Sequence, residues 1–138
     1  MKKYLLLIAA IALTSCETQN QTTHQEKGTL ARITTYWPSE DKYTRRHKSA
    51  TGERLHEGSA AVDPRAIPYG SRILLEDSTL TAVDTGRDVR SRKAARLSGR
   101  TPEEKSAQVV DVFFESKARA MRWASSHNLF QRLQIVEP

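Results

Sequence analysis

The chain has 138 residues, of which 38% are hydrophobic and 28% charged, and its formal net charge is +6. That length suits one domain of ordinary size and not two, and that balance excludes a chain disordered throughout. The basic excess, about +4 once Lys2 and Lys3 are set aside, suits nucleic acid, anionic lipid or an acidic polymer alike, and charge alone does not choose among them.

The chain opens on "MKK", a positive start, followed by "YLLLIAAIAL", an apolar run too short to span a bilayer comfortably. This pattern predicts a secretory signal peptide over residues 1–15. Cys16 is the single cysteine, so no disulfide can form within one chain. It ends "LTSC", which resembles a bacterial lipobox; in such signals the cysteine is lipidated and becomes the new N-terminus. The alternative is an ordinary secretory signal with an incidental cysteine. Several acyl chains on Cys16 would supply stable anchoring, and Glu17, rather than Asp, resembles a signal permitting export to an outer membrane. Residues 16–28 are then a lipidated tether, because "ETQNQTTHQEKG" is too polar to bury a core. The expected location is the cell envelope, lipid-anchored, in the periplasm or outer membrane of a cell with two membranes.

The folded part is expected over residues 29–138. "TLARITTYW" mixes β-branched and aromatic residues before Pro38 and predicts a strand. "SEDKYTRRHKS" reads as a charged loop. "RILL" and "LTAV" predict two short strands joined by the turn "EDST". Residues 85–107 are dense in charge; "DVRSRKAARL" has helical character, and "TPEE" resembles a helix start with proline at its first position. "QVVDVFF" predicts a buried strand. "SKARAMRWASSHN" predicts a short helix with Ser116 as N-cap and Asn128 near its end. "RLQIV" predicts a last strand with Leu133 and Ile135 on one face. Many short strands with one or two helices predict a small, mostly β barrel.

Three aspartates follow valine: Asp63 in "AVDPRAIPYGSRI", Asp84 in "AVDTG" and Asp111 in "VVDVFF". A carboxylate at the end of an apolar strand is costly unless paired, hydrogen-bonded or protonated. Strand ends converge in a barrel, and clustered carboxylates push one pKa upward, as a general acid near neutral pH requires. Turn chemistry is the simpler account of Asp63 before proline and Asp84 before Thr-Gly. Asp111 has no turn residue after it, which makes it the foremost candidate for chemistry.

Taken in order, "SATGERL", "AVDPRAIPYGSRI", "AVDTG", "VVDVFF", a helix and "LQIV" resemble the three-aspartate (3D) domain family. That domain forms the C-terminal part of membrane-bound lytic transglycosylase A and occurs in small stationary-phase and sporulation proteins of the cell wall. The resemblance covers residues 32–136 and implies a six-stranded double-psi β-barrel. It also implies that Asp111 is the catalytic acid/base, supported by Asp84 and Asp63, with Tyr36, Thr51, Tyr69, Thr85 and Gly86 along the substrate groove. The implied reaction cleaves peptidoglycan between N-acetylmuramic acid and N-acetylglucosamine and leaves a 1,6-anhydro product, with no metal or other cofactor. Where the family continues from its "DTGG" through a short glycine-rich link, this chain has Arg87 and a long basic insertion carrying Arg90, Arg92, Lys93, Arg96 and Arg100. The insertion is a solvated surface, a cap over the groove, an added binding surface suited to carboxylates of peptide stems or anionic wall polymers, or the mark of a barrel without activity.

His24, His47, His56 and His127 lack metal-ligand spacing; His56 alone is expected near the groove. Trp37 is a candidate for stacking on a sugar and Trp123 for packing the helix onto the barrel. An exported chain makes "YTRRHK" a poor nucleic-acid patch, and no nucleic-acid motif accompanies it. Two functions therefore stand from the sequence: a peptidoglycan lytic transglycosylase, and a non-catalytic peptidoglycan-binding envelope lipoprotein. A regulator that binds a partner through the basic insertion is a weaker third.

Overall fold

The computed structural model describes residues 28–38, 42 and 46–138. The expected signal peptide, the expected lipidation site Cys16 and the expected tether up to residue 27 lie outside the described residues, as do the first three residues of the "YTRRHK" run.

Six strands close into a barrel: β1 (Thr29–Tyr36), β2 (Ser59–Ala61), β3 (Arg72–Leu74), β4 (Thr79–Asp84), β5 (Gln108–Phe113) and β6 (Phe130–Val136). Their order around the barrel is β1-β5-β2-β4-β3-β6. β1 with β5 and β2 with β4 are parallel; the other four pairs are antiparallel. Both parallel pairs join strands that are not consecutive in the chain. The expected six-stranded, mostly β barrel is thus the fold observed.

Period-two alternation explains what fills it. Ala31 and Ile33, Ala60, Ile73, Leu80 and Ala82, Val110 and Val112, and Leu133 come from all six strands and form one buried cluster, the barrel interior. Leu133 is buried and Ile135 packs against the same cluster, as the pattern of the last strand predicts. The predicted hairpin is present, with Leu75 N–H donating to Ser78 O at 2.9 Å. Residues of opposite parity, Tyr36, Ala61, Val83, Val109 and Phe113, form a second buried cluster outside the barrel with Leu55, Val89, Ala95 and Ala107.

Among the described residues the helices number four rather than one or two: α1 (Arg87–Arg90), α2 (Lys93–Ser98), α3 (Pro102–Ser106) and α4 (Lys117–Ser126). The basic insertion makes three of them because its backbone is broken twice. Arg92 takes a left-handed conformation, φ 54°, between α1 and α2. The extended Gly99 ends α2, and Thr101 opens α3 with a capping box to Glu104 and Pro102 at its first position. Val89, Ala95 and Ala107 then fasten the three helices over Val109 on the outer face. α4 begins at Ser116, whose hydroxyl accepts from Arg119 N–H. Trp123 packs against the barrel beside Phe114, ring centroids 5.7 Å apart, which is the packing role expected of it. None of the described helices is long and apolar enough to cross a membrane.

Candidate functional site: a carboxylate row on the outer face of the barrel

Asp111 lies on β5 between Val109 and Phe113, so it faces outward with them, while Val110 and Val112 face in. It is half-buried. The insertion covers Val109 on one side, and the Leu55 loop covers Phe113 on the other. Thr34 stands directly opposite on β1, and its hydroxyl donates to Asp111 Oδ1 at 2.8 Å. On the other side Asp111 pairs with Ala61 of β2, and Ala61 in turn stands opposite Asp84 of β4. Asp111, Ala61 and Asp84 thus form a row across three strands. Two strand spacings put the outer Cα atoms about 10 Å apart, and alanine leaves the space between them low.

Alternation alone would send Asp84 inward with Leu80 and Ala82. The pairing of β2 and β4 slips by one residue after Ala60, which leaves Val83 as an extra residue on β4. Such a bulge re-aims the side chain that follows it. Val83 joins the outer cluster, and Asp84 turns to the same side, where its Oδ2 accepts from Tyr36 hydroxyl at 3.0 Å. Asp84 Oδ1 accepts from Ala50 N–H at 2.9 Å, and Thr51 N–H donates to Val83 O at 3.2 Å. Asp84 thereby ties the exposed residues 50–52 to the edge of the row, and Thr51 hydroxyl closes on the buried Ser49 Oγ at 2.9 Å. Tyr36 is almost fully buried, with its ring edge-on to Phe113 at 5.3 Å.

Asp63 is used differently. Its side chain is buried under Arg65, whose Nε and Nη2 donate to Oδ1 at 3.0 Å and Oδ2 at 2.8 Å, and whose backbone N–H donates to Oδ1 at 3.2 Å. Its backbone carbonyl accepts from Ala66 and Ile67 N–H, closing the turn after β2. The Arg65 fork holds the Asp63 carboxyl below the usual carboxylate range; burial works against this, and the charge of Arg90 adds to it. A raised pKa from clustering is therefore not found at Asp63.

The remaining expected groove residues divide. Thr85 hydroxyl donates to Val62 O at 2.7 Å, a tie between β2 and β4. Gly86 is the extended N-cap of α1, and its carbonyl accepts from Arg90 N–H. Among the described residues, no hydrogen bond links Tyr69 to the three aspartates. His56 is exposed, its Nδ1 2.8 Å from Glu57 O; His47 is the histidine against the outer cluster, ring to ring with Phe113 at 5.8 Å and bonded to Glu115 at 3.1 Å. Lys117 ammonium lies 5.9 Å over the Trp37 ring, the face proposed for a sugar. No three His, Cys, Asp or Glu among the described residues group as metal ligands do.

Thr34 and Arg65 were missed in the sequence. Arg65 was visible locally, two residues after Asp63 in "DPR". Thr34 shares a strand face with Tyr36, but its place beside Asp111 depends on the register of β1 against β5.

No family model matches the chain. A search of curated proteins finds no relative.

Proposed function

We propose that the protein is a cell-envelope lipoprotein of the 3D-domain kind, acting as a peptidoglycan lytic transglycosylase with Asp111 as its general acid/base. The observation that supports this most is the place of Asp111, half-buried on the outer face with the Thr34 hydroxyl on its Oδ1. Asp63 is gripped by a permanently charged fork, which suits a fixed anion. Asp84 accepts from the Ala50 N–H and the Tyr36 hydroxyl, which fix it at the edge of the row. Asp111 is half-exposed and bonded to a hydroxyl. A hydroxyl can donate to a carboxylate and, after rotation, accept from a carboxylic acid, so Thr34 can follow Asp111 through both protonation states.

Asp111 as the acid gives its proton to the glycosidic oxygen while the bond from that oxygen to muramyl C1 breaks. The carboxylate so formed takes the proton of the muramyl C6 hydroxyl as O6 bonds to C1. The 1,6-anhydro ring closes, N-acetylglucosamine leaves with a free hydroxyl, and no water is consumed. One carboxylate serves both steps, unlike the paired groups of a hydrolase. Asp84, anionic across Ala61, would offset positive charge developing at C1.

A second reading, a barrel that binds wall glycan without cutting it, is favoured by the hydrogen bonds that commit Asp63 and Asp84 to loop geometry. The two separate in one experiment. The purified chain is incubated with peptidoglycan, and products are read by mass spectrometry, with Asp111→Asn in parallel. Anhydromuramyl products that disappear in the variant establish the enzyme. Absence of products from the native chain, with wall binding equal in the variant, establishes the binding barrel.

A further inference from the structure

A second feature borders the row and plays no part in the chemistry above. Asp63, Pro64, Arg65, Arg87, Arg90 and Ser91 line an open depression of about 470 Å³. Asp63 is two residues beyond Ala61, so its Cα lies within about 7 Å of the middle of the row. Arg87 is three residues beyond Asp84. The depression therefore adjoins the site from both β2 and β4.

Its charge is not balanced from within. Three guanidinium groups surround one carboxylate, a local excess of two positive charges. Arg65 spends its fork on Asp63 yet remains 77% exposed in its side chain. Arg87 and Arg90, three residues apart on α1, have exposed side chains with no ion-pair partner among the described residues. The neighbouring acid on the same helix, Asp88, pairs with Lys93, and Ser91 hydroxyl donates to Asp88 O. Like charges three residues apart on a helix repel, and the tight Arg87–Arg90 turn keeps them together. Guanidinium forks match carboxylates in a bidentate fashion, and Asp63 already shows that a carboxylate fits.

We propose that this depression binds carboxylates of acidic peptides attached to the glycan, so that the protein selects peptide-bearing strands over bare ones. The inference takes its glycan from the reading above; the peptide contact itself does not depend on cleavage. Salt should weaken the contact, because the cations are exposed.

The test is calorimetric titration of the full chain with a synthetic peptide bearing two free carboxylates, and with the same peptide as its diamide. The diacid is expected to bind at least tenfold more tightly than the diamide. Arg87→Gln and Arg90→Gln, each a change at an exposed side chain, are expected to weaken the diacid about three- to fivefold, and the double variant more. Asp111→Asn is expected to bind the peptide as the native chain does. That arm keeps the two readings apart: peptide binding with no anhydro products leaves this inference standing and removes the enzyme. Equal binding of diacid and diamide would overturn it, as would native affinity in the double variant. Displacement of the peptide by inorganic phosphate at equal concentration and ionic strength would also overturn the peptide assignment.

Discussion

Gly99 offers a prediction whose sign depends on tertiary packing. Its backbone is ordinary, φ −68° and ψ 135°, so any residue could adopt it. Replacing glycine by alanine at such a position normally stabilises by about 0.4–1 kcal/mol, because the unfolded chain loses freedom. The surroundings reverse that expectation. A Cβ at Gly99 would lie 2.6 Å from Lys105 N, 2.8 Å from Ala95 O and 2.8 Å from Glu104 C. All three are backbone atoms, in α2 and α3, and cannot swing aside as a side-chain end would. Ordinary carbon contacts begin near 3.5 Å, so α3 must move away from α2 by more than half an ångström. Gly99 N–H also donates to Ala95 O at 2.8 Å, a bond the movement strains. Overpacking of this kind costs about 1–3 kcal/mol, and the strained hydrogen bond about 1 more. Set against the entropic gain, Gly99→Ala should destabilise by about 1–3 kcal/mol. Urea denaturation should show the midpoint falling by about 1 M, with amides of α3 exchanging faster than those of the barrel strands. A midpoint unchanged or raised would refute the packing argument and show that the insertion yields freely.

Thr34→Val keeps a β-branched residue on β1 but removes the hydroxyl that bonds Asp111; under the proposed reaction, turnover on peptidoglycan should fall roughly fivefold, with Thr34→Ser restoring it, and equal turnover in all three chains would remove Thr34 from that proposal. The acid limb of stability tests the fastened carboxylates. Asp63 is held low by Arg65, and Asp77 by the hydrogen bond from His127. A carboxyl with a depressed folded-state pKa stabilises above its unfolded value, near 4, and that contribution is lost as pH falls through the folded value. Urea midpoints should therefore drop from about pH 4 downward, and Asp63→Asn should flatten that slope; an unaltered slope would mean that the Arg65 fork adds no pH-dependent stability.

What was legible in the sequence had local causes. Ser116, the Thr101-Pro102-Glu103-Glu104 start and the alternation of Leu133 and Ile135 each report on their own neighbours, and each element formed as its residues indicate. The row of carboxylates was legible only in part. Asp111 could be placed on a strand face by its neighbours, but Asp84 reaches that face through a bulge that nothing in "LTAVD" announces. Ala61 became the floor between them because a strand of three small buried residues, Ser59–Ala61, fits between β5 and β4, and so short a run carries no periodicity to read. Asp63 was grouped with the other two by its valine, whereas its partner two residues on decides its role. The insertion was readable as charged and partly helical; that Val89, Ala95 and Ala107 would dock it onto Val109 required the fold.

The strand order also bears on when the protein can fold. β1 lies between β5 and β6, the two strands synthesised last. Thr34 meets Asp111 across 77 residues of chain, so neither edge of the first strand finds its neighbour until β5 and β6 have been made. Loop closure over such separations must precede the contacts that reward it, and a topology this non-local folds slowly for its size. The barrel therefore cannot close before β5 and β6 are present. Until then β1 is a bare edge of the kind that invites aggregation, and its outward-facing Arg32 and Thr34 are the sort of side chains that keep such an edge in water.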